Sequence, residues 1–225
     1  MRDPRTVLCF GDSNTYGQSS EADRRLPYAD RWVTHLQQIL GPDFIVISEG
    51  LNGRTTVHDD PVDATFVGVG GGNLNGRRYI LPCLHSHSPI DTVVLALGTN
   101  DMKTRFNLSA AEIRLGLRLL LNDIKQSASG PNGDAPTRII VVSPPACQEN
   151  PDNASWGFAG CNAKSCATID AFRQEADEQR LPFVDLSSIA TVGTDGIHFC
   201  ASAAGPISKA IASHITEGHK RKERS

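Results

Sequence analysis

Apolar, β-branched runs recur along the chain at Thr6–Phe10, Phe44–Ser48, Thr92–Leu97, Arg138–Val142 and Pro182–Leu186, each bounded by turn-forming residues. Their length and unbroken apolar character suit strands buried on both faces. Between them the apolar period becomes helical. Trp32, Val33, Leu36, Ile39 and Leu40 share a face until Gly41-Pro42 stops the pattern, and Ser109 with Glu112 forms a capping signal ahead of a helix over Ala110–Ile124. Further helices are predicted over Arg78–His85, Lys164–Gln179 and Ala201–Ile215. Strands alternating with helices imply parallel βαβ units, and therefore an α/β fold: a three-layer, flavodoxin-like doubly wound sheet of five parallel strands. A length of 225 residues suits one domain, with flexible ends expected over residues 1–5 and 217–225.

Two segments fall outside this pattern. The glycine-rich stretch Phe66–Gly76 lacks the third glycine and the strand-to-helix context of a dinucleotide fingerprint, so it reads as a flexible surface loop bordering the site or a subunit contact. The basic tail Glu217–Ser225 reads as a solvated, frayed end. A formal net charge of -3 creates no field favouring nucleic acid or anionic lipid. The apolar run Val7 to Phe10 is too short for a signal peptide or a membrane span, so the chain reads as cytoplasmic and its six scattered cysteines as reduced thiols. Cys161 and Cys166 have no further ligand at metal spacing. His85 and His87, two apart on a predicted helix, face different sides and make no metal pair.

In open parallel sheets, reactive groups collect beyond the carboxyl ends of the strands. Four predicted strand ends carry suitable residues: Gly11-Asp-Ser13-Asn14, Glu49-Gly-Leu-Asn-Gly53-Arg54, Gly98-Thr-Asn100-Asp101 and Asp195-Gly-Ile-His198. Ser13 is expected in a strand-to-helix turn, its hydroxyl exposed and its N–H pointing out of a helix N-terminus. Gly53 can bring a second backbone N–H close, and the Asn100 carboxamide a third donor, so that Ser13, Gly53 and Asn100 form an oxyanion hole. A serine hydroxyl needs a base of fixed tautomer; His198 can take its proton at Nε2 while Asp195 accepts from Nδ1. The order and placement of these pieces make an acyl-transfer site, which no piece does alone.

Other candidates have plainer readings. Asp12 holds the nucleophile turn through backbone N–H groups, and Asp101 reads as a strand-end or helix-cap residue positioning Asn100. Ser143 precedes Pro144-Pro145, which deny it a helix N-terminus, so it reads as a turn residue. Trp156, Phe158 and Phe199 read as core. Tyr16 and Ile197, sequence neighbours of the reactive residues, are assigned to substrate binding.

Together Gly11-Asp-Ser13, Gly53, Gly98-Thr-Asn100-Asp101 and Asp195-Gly-Ile-His198 resemble the conserved blocks of the SGNH (GDSL) hydrolase superfamily. Glu49–Thr56, Asp59-Asp-Pro61, Val142-Ser-Pro-Pro145 and Asp195–Phe199 resemble its bacterial arylesterase/acyltransferase branch, a likeness running from about Val7 to about Ala212. The resemblance implies hydrolysis of short-chain esters such as aryl acetates through an acyl-enzyme, with acyl transfer to alcohols. It implies no metal or organic cofactor, a small-molecule ester as ligand, and a homo-oligomer whose subunits shape a narrow entrance. Asn14 and Gln18 stand where a studied member has apolar or aromatic residues, which implies a more polar pocket and raises carbohydrate O-acetyl esters as alternative substrates.

Overall fold

The structure, a computed structural model, describes residues 3–70, 72–136 and 138–222. Strands β1 (Arg5–Gly11), β2 (Phe44–Gly50), β3 (Thr92–Ala96), β4 (Arg138–Val142) and β5 (Phe183–Val184) form one sheet in the order β2-β1-β3-β4-β5. Every neighbouring pair is parallel, which is the expected flavodoxin-like arrangement. The last strand is shorter than its apolar run. As an edge strand it pairs on one side only, through Val141 with Phe183 and Val142 with Val184. Directly after it, Asp185 accepts from the Ser187 N–H at 2.9 Å and turns the chain into a 3-10 turn.

The helices are α1 (Ser13–Tyr16), α2 (Trp32–Leu40), α3 (Pro61–Val67), α4 (Gly76–Ser86), α5 (Ala110–Gln126), a single turn α6 (Pro151–Asn153), α7 (Cys161–Glu178) and α8 (Ala204–Lys222). The capping box at Ser109 is formed: its N–H donates to Glu112 at 2.7 Å, and its hydroxyl accepts from the Glu112 N–H at 3.3 Å. α4 begins two residues early because Asn75 accepts from the Arg77 N–H at 3.1 Å. At the C-terminal end a 3-10 turn at Ala201–Ala203 leads into α8, which runs to Lys222 and so takes in part of the expected tail, and residues 223–225 lie outside the described residues.

Alternation along each strand divides the core into two layers. Leu8 and Phe10 pack with Ile80, Leu84, Leu117 and Phe172 on the side of α4, α5 and α7. Val7 and Cys9 pack with Leu36, Val33, Ile207 and Ile211 on the side of α2 and α8. Each such buried side chain contributes about 1.5–3 kcal/mol relative to exposure, so the burial of β1, β3 and β4 makes the centre of the sheet a rigid base for its loops, while the edge strand β2 is partly exposed. All six cysteines are free thiols, and the pair in contact is Cys147 with Cys161 rather than Cys161 with Cys166.

One ion cluster ties α5 to α7. The fully buried Glu175 carboxylate receives Arg114 Nε at 2.7 Å and Arg118 Nε and Nη2 at 2.8 and 2.7 Å. Burial alone would raise its pKa, but the two arginines and Gln179 outweigh that and bring it from 4.5 to about 2. A carboxyl whose pKa is depressed by folding stabilises above its unfolded value and loses that contribution as pH falls through the folded one. Glu175→Gln should therefore cost about 2 kcal/mol at neutral pH, after allowance for solvent around Arg118, and flatten the fall in stability between about pH 4.5 and 2. Thermal melts of both proteins across that range check this.

Candidate active site

β1 ends at Gly11, and the chain turns at once into α1. Asp12 caps that helix, its Oδ1 accepting from the Asn14 N–H at 2.9 Å. The carboxylate is buried; desolvation raises its pKa against the pull of the Asn14 N–H, Thr99, His198 and Arg54. Its role is the expected one of holding the turn. Ser13 is thereby the first residue of α1, and its hydroxyl faces the loop that follows β5.

That loop brings the second group. His198 Nε2 lies 2.8 Å from Ser13 Oγ, although 185 residues separate them. His198 Nδ1 lies 2.7 Å from Asp195 Oδ2, while Asp195 Oδ1 accepts from the backbone N–H groups of Ile197 and His198 at 2.9 and 2.8 Å. Burial alone would push this carboxyl up, but the bond and charge of His198 and those N–H groups hold it below the usual carboxylate range. An ionised Asp195 fixes the proton on Nδ1 and leaves Nε2 free to accept from serine.

The histidine loop is itself anchored. Thr194 Oγ1 and the Asp195 N–H donate to the Ser20 carbonyl at 2.7 and 3.2 Å, and Asn153 Nδ2 donates to the Asp195 carbonyl at 2.8 Å. Asn14 staples it to the nucleophile turn, accepting from the Phe199 N–H at 3.1 Å and donating to the Ile197 carbonyl at 3.4 Å.

The expected donors Ser13, Gly53 and Asn100 have these surroundings. Among the described residues, none accepts from the N–H of Ser13 or of Gly53. Gly53 has φ +78°, a left-handed conformation that favours glycine, and a Cβ there would come within 3.0 Å of Leu74 Cδ1. The buried Asn100 carboxamide uses one hydrogen on the Arg54 carbonyl at 3.1 Å, which orients the group and leaves its second hydrogen available.

Two residues outside the reactive set hold this arrangement. The buried Arg54 donates through Nη1 to the Gly11 carbonyl at 3.0 Å and to the Glu49 carbonyl, and its guanidinium stacks 4.2 Å over the Phe10 ring. It thus joins the ends of β1 and β2 beneath the Gly53 loop. Of its two expected roles, Asp101 takes that of a strand-end residue and not that of a helix cap, which falls to Thr99. Its carboxylate accepts from the Thr56 N–H at 3.0 Å and the Thr56 hydroxyl at 2.6 Å, clamping the Gly53 segment to the end of β3. Burial raises its pKa and Thr56 lowers it. A partner 45 positions away gave no sequence signal, whereas an arginine next to the loop glycine was a visible one.

The assigned substrate-binding residues are placed differently. Ile197 is 2% exposed and packs into the core layer of α4, α5 and α7, because Gly196 at φ +73° turns the loop and sends the next side chain inward. The half-buried Tyr16 lies under the Arg25 guanidinium, 4.0 Å from its ring centre. Asn14 is occupied as described, and Gln18 Oε1 accepts from Asn52 Nδ2 at 2.9 Å, so neither is a free polar group of the pocket. Ser143 is buried and accepts from the Leu186 N–H at 2.9 Å, in keeping with a turn role. The glycine-rich segment starts within α3; Gly71 lies outside the described residues. Bonds from Thr55 N–H to the Leu74 carbonyl and from Gly76 N–H to the Thr55 carbonyl, at 2.9 and 3.1 Å, set this segment against the Gly53 loop.

A family model described as GDSL-like lipase/acylhydrolase matches residues 9–209. The chain belongs to that family. Among solved structures, this GDSL-like acylhydrolase is similar to the native aryl esterase of M. smegmatis, with 35% identity, TM-score 0.84 and coverage of 95% of this chain and 99% of that one. It is equally similar to a carbohydrate acetylesterase family member from Sinorhizobium meliloti, at 35% identity and TM-score 0.84, covering 94% and 97% of the two chains. The lipase/acylhydrolase of Enterococcus faecalis shares the fold at 17% identity and TM-score 0.64, over 94% and 95%. No curated protein matches the chain in sequence. The chain is thus an esterase of the GDSL (SGNH) type. Among the described residues, no helix is long and apolar enough to cross a membrane.

Proposed function

We propose that this acylhydrolase cleaves short-chain, acetyl-type esters such as aryl acetates through an acyl-enzyme on Ser13. The observation that carries the reading is the continuous relay from Ser13 Oγ to His198 Nε2 at 2.8 Å and from Nδ1 to Asp195 at 2.7 Å. Ser13 Oγ attacks the ester carbonyl as its proton passes to His198 Nε2, and Asp195 stabilises the imidazolium. The resulting oxyanion is met by the N–H groups of Ser13 and Gly53 and the free hydrogen of Asn100 Nδ2. Collapse of the tetrahedral species transfers the His198 proton to the leaving alkoxide. A water, or an acceptor alcohol, then loses its proton to His198 and attacks the acyl-enzyme, releasing acid or a new ester.

A second reading, hydrolysis of carbohydrate acetates, is favoured by a charged cluster beside Gly53. Asp63, whose Oδ2 would lie 3.4 Å from a Cβ at Gly53, is bound by Lys103 and by Arg105 Nη1 at 3.0 Å, and Arg105 Nη1 also reaches Asp60 at 2.9 Å. These polar groups suit hydroxyl-rich leaving groups.

Nitrophenyl esters of increasing chain length, with and without an added alcohol, and a sugar acetate discriminate the readings. Acetyl esters should turn over fastest, and the rate should fall with chain length. A kcat/KM roughly tenfold higher for the sugar acetate, about 1.4 kcal/mol of differential transition-state binding, would replace the aryl assignment. Asn100→Ala should lower kcat by about 10²–10³-fold with KM little changed, as for loss of one oxyanion donor. An unchanged melting temperature separates this from disruption of the bond to Arg54.

A further inference from the structure

One cluster of ligand-type side chains lies behind the Gly53 loop and takes no part in the proposed reaction. Cys83 belongs to α4, and His87, the C-cap of that helix, follows four residues later; its N–H still donates to the Cys83 carbonyl at 3.2 Å, so both side chains fall on one helical face. That face meets the end of β2, where Glu49 Oε1 lies 2.8 Å from His87 Nε2. One ligand atom from each of Glu49, Cys83 and His87 lies within 4.8 Å of the other two. The thiol of Cys83 and the phenol of Tyr79 both face the Glu49 carboxylate.

We infer that Glu49, Cys83 and His87 form a binding site for one thiophilic divalent transition ion of the Zn²⁺ type. Sulfur, imidazole nitrogen and carboxylate oxygen are its preferred donors, and bond lengths of about 2.0–2.3 Å require ligand atoms roughly 3–4 Å apart, so the Glu49–His87 contact of 2.8 Å would open slightly to admit the ion, within a cluster whose ligand atoms all lie within 4.8 Å of one another. Cys83 is buried, and desolvation together with the Glu49 carboxylate pushes its thiol up to about 12, so the ion must displace the thiol proton on binding; the side chains of Glu49 and His87 are 19% and 29% exposed and leave an entry path and a fourth position for water. The carboxylate and the thiolate supply two negative charges that balance the ion. Arg54, which interacts electrostatically with both, is held by the Gly11 and Glu49 carbonyls and remains in place. The bound ion would tie β2 to α4, and the reaction needs no metal.

The test is titration of the chelator-treated full-length protein with Co²⁺, followed by its thiolate-to-metal charge-transfer absorption, and with Zn²⁺ by calorimetry. One equivalent should bind, with the charge-transfer band and a higher melting temperature. The exposed Cys166 and half-buried Cys200 are controlled by a Cys166→Ser/Cys200→Ser background, in which binding should persist. Cys83→Ser should abolish the band. His87→Gln, at the partly exposed helix end, should weaken affinity at least about tenfold and carries the test if Cys83→Ser fails to fold. Absence of one-equivalent binding, or binding unchanged in His87→Gln, overturns the site.

Discussion

Ser13→Ala is expected to fold as the parent does and to lose about 10⁶-fold in kcat on any ester the parent hydrolyses. The structural cost is small: the substitution removes one oxygen from the first residue of α1, while Asp12 still caps the turn and the residue-13 N–H remains in place. The chemical cost is large because the reaction then has no nucleophile. What remains is binding and the donors of Ser13 N–H, Gly53 and Asn100, which without the nucleophile retain about 10³–10⁴-fold over the uncatalysed rate. Steady-state kinetics beside a thermal melt check both halves of the expectation. A melting temperature close to the parent's with activity retained would place the nucleophile elsewhere.

Asp195→Asn should cost about 10⁴-fold in kcat, for a different reason. Asparagine can keep the Oδ1 bonds to the N–H groups of Ile197 and His198, so the loop geometry survives. Its amide then faces His198 Nδ1 as a donor, where the carboxylate was an acceptor at 2.7 Å. The ring must present a lone pair at Nδ1 and carry its proton on Nε2, which can no longer accept from Ser13. Because the defect is one of tautomer and charge, kcat should fall far more than KM rises. A variant with unimpaired kcat would remove Asp195 from the relay.

What could be read from the chain, and what could not, follows from the range of the interactions. The runs in β1, β3 and β4 are unbroken because those strands are covered on both faces, and Ser109 with Glu112 announced α5 through a bond spanning three residues. The reactive residues were legible because an open parallel sheet collects its loops at one edge, so that four short motifs at strand ends must meet. Side-chain direction within those loops was not legible. Ile197 turns into the core because of the left-handed backbone at Gly196, and adjacency to His198 said nothing of that. Long-range partners were equally invisible: Asp101 with Thr56, Asn14 with the Phe199 N–H, and Cys83 and His87 with Glu49. His85 and His87 were weighed only against each other, whereas the proposed site uses the four-residue spacing from Cys83 to His87.

The proposed reaction requires a Ser13 hydroxyl activated by His198. Incubation with a fluorinated organophosphonate, followed by intact-protein and peptide mass spectrometry, tests this most directly. The account predicts one adduct per chain, carried by Ser13, absent from Ser13→Ala and formed far more slowly in His198→Ala; a parent protein that takes up no label, or takes it up at another residue, would contradict it.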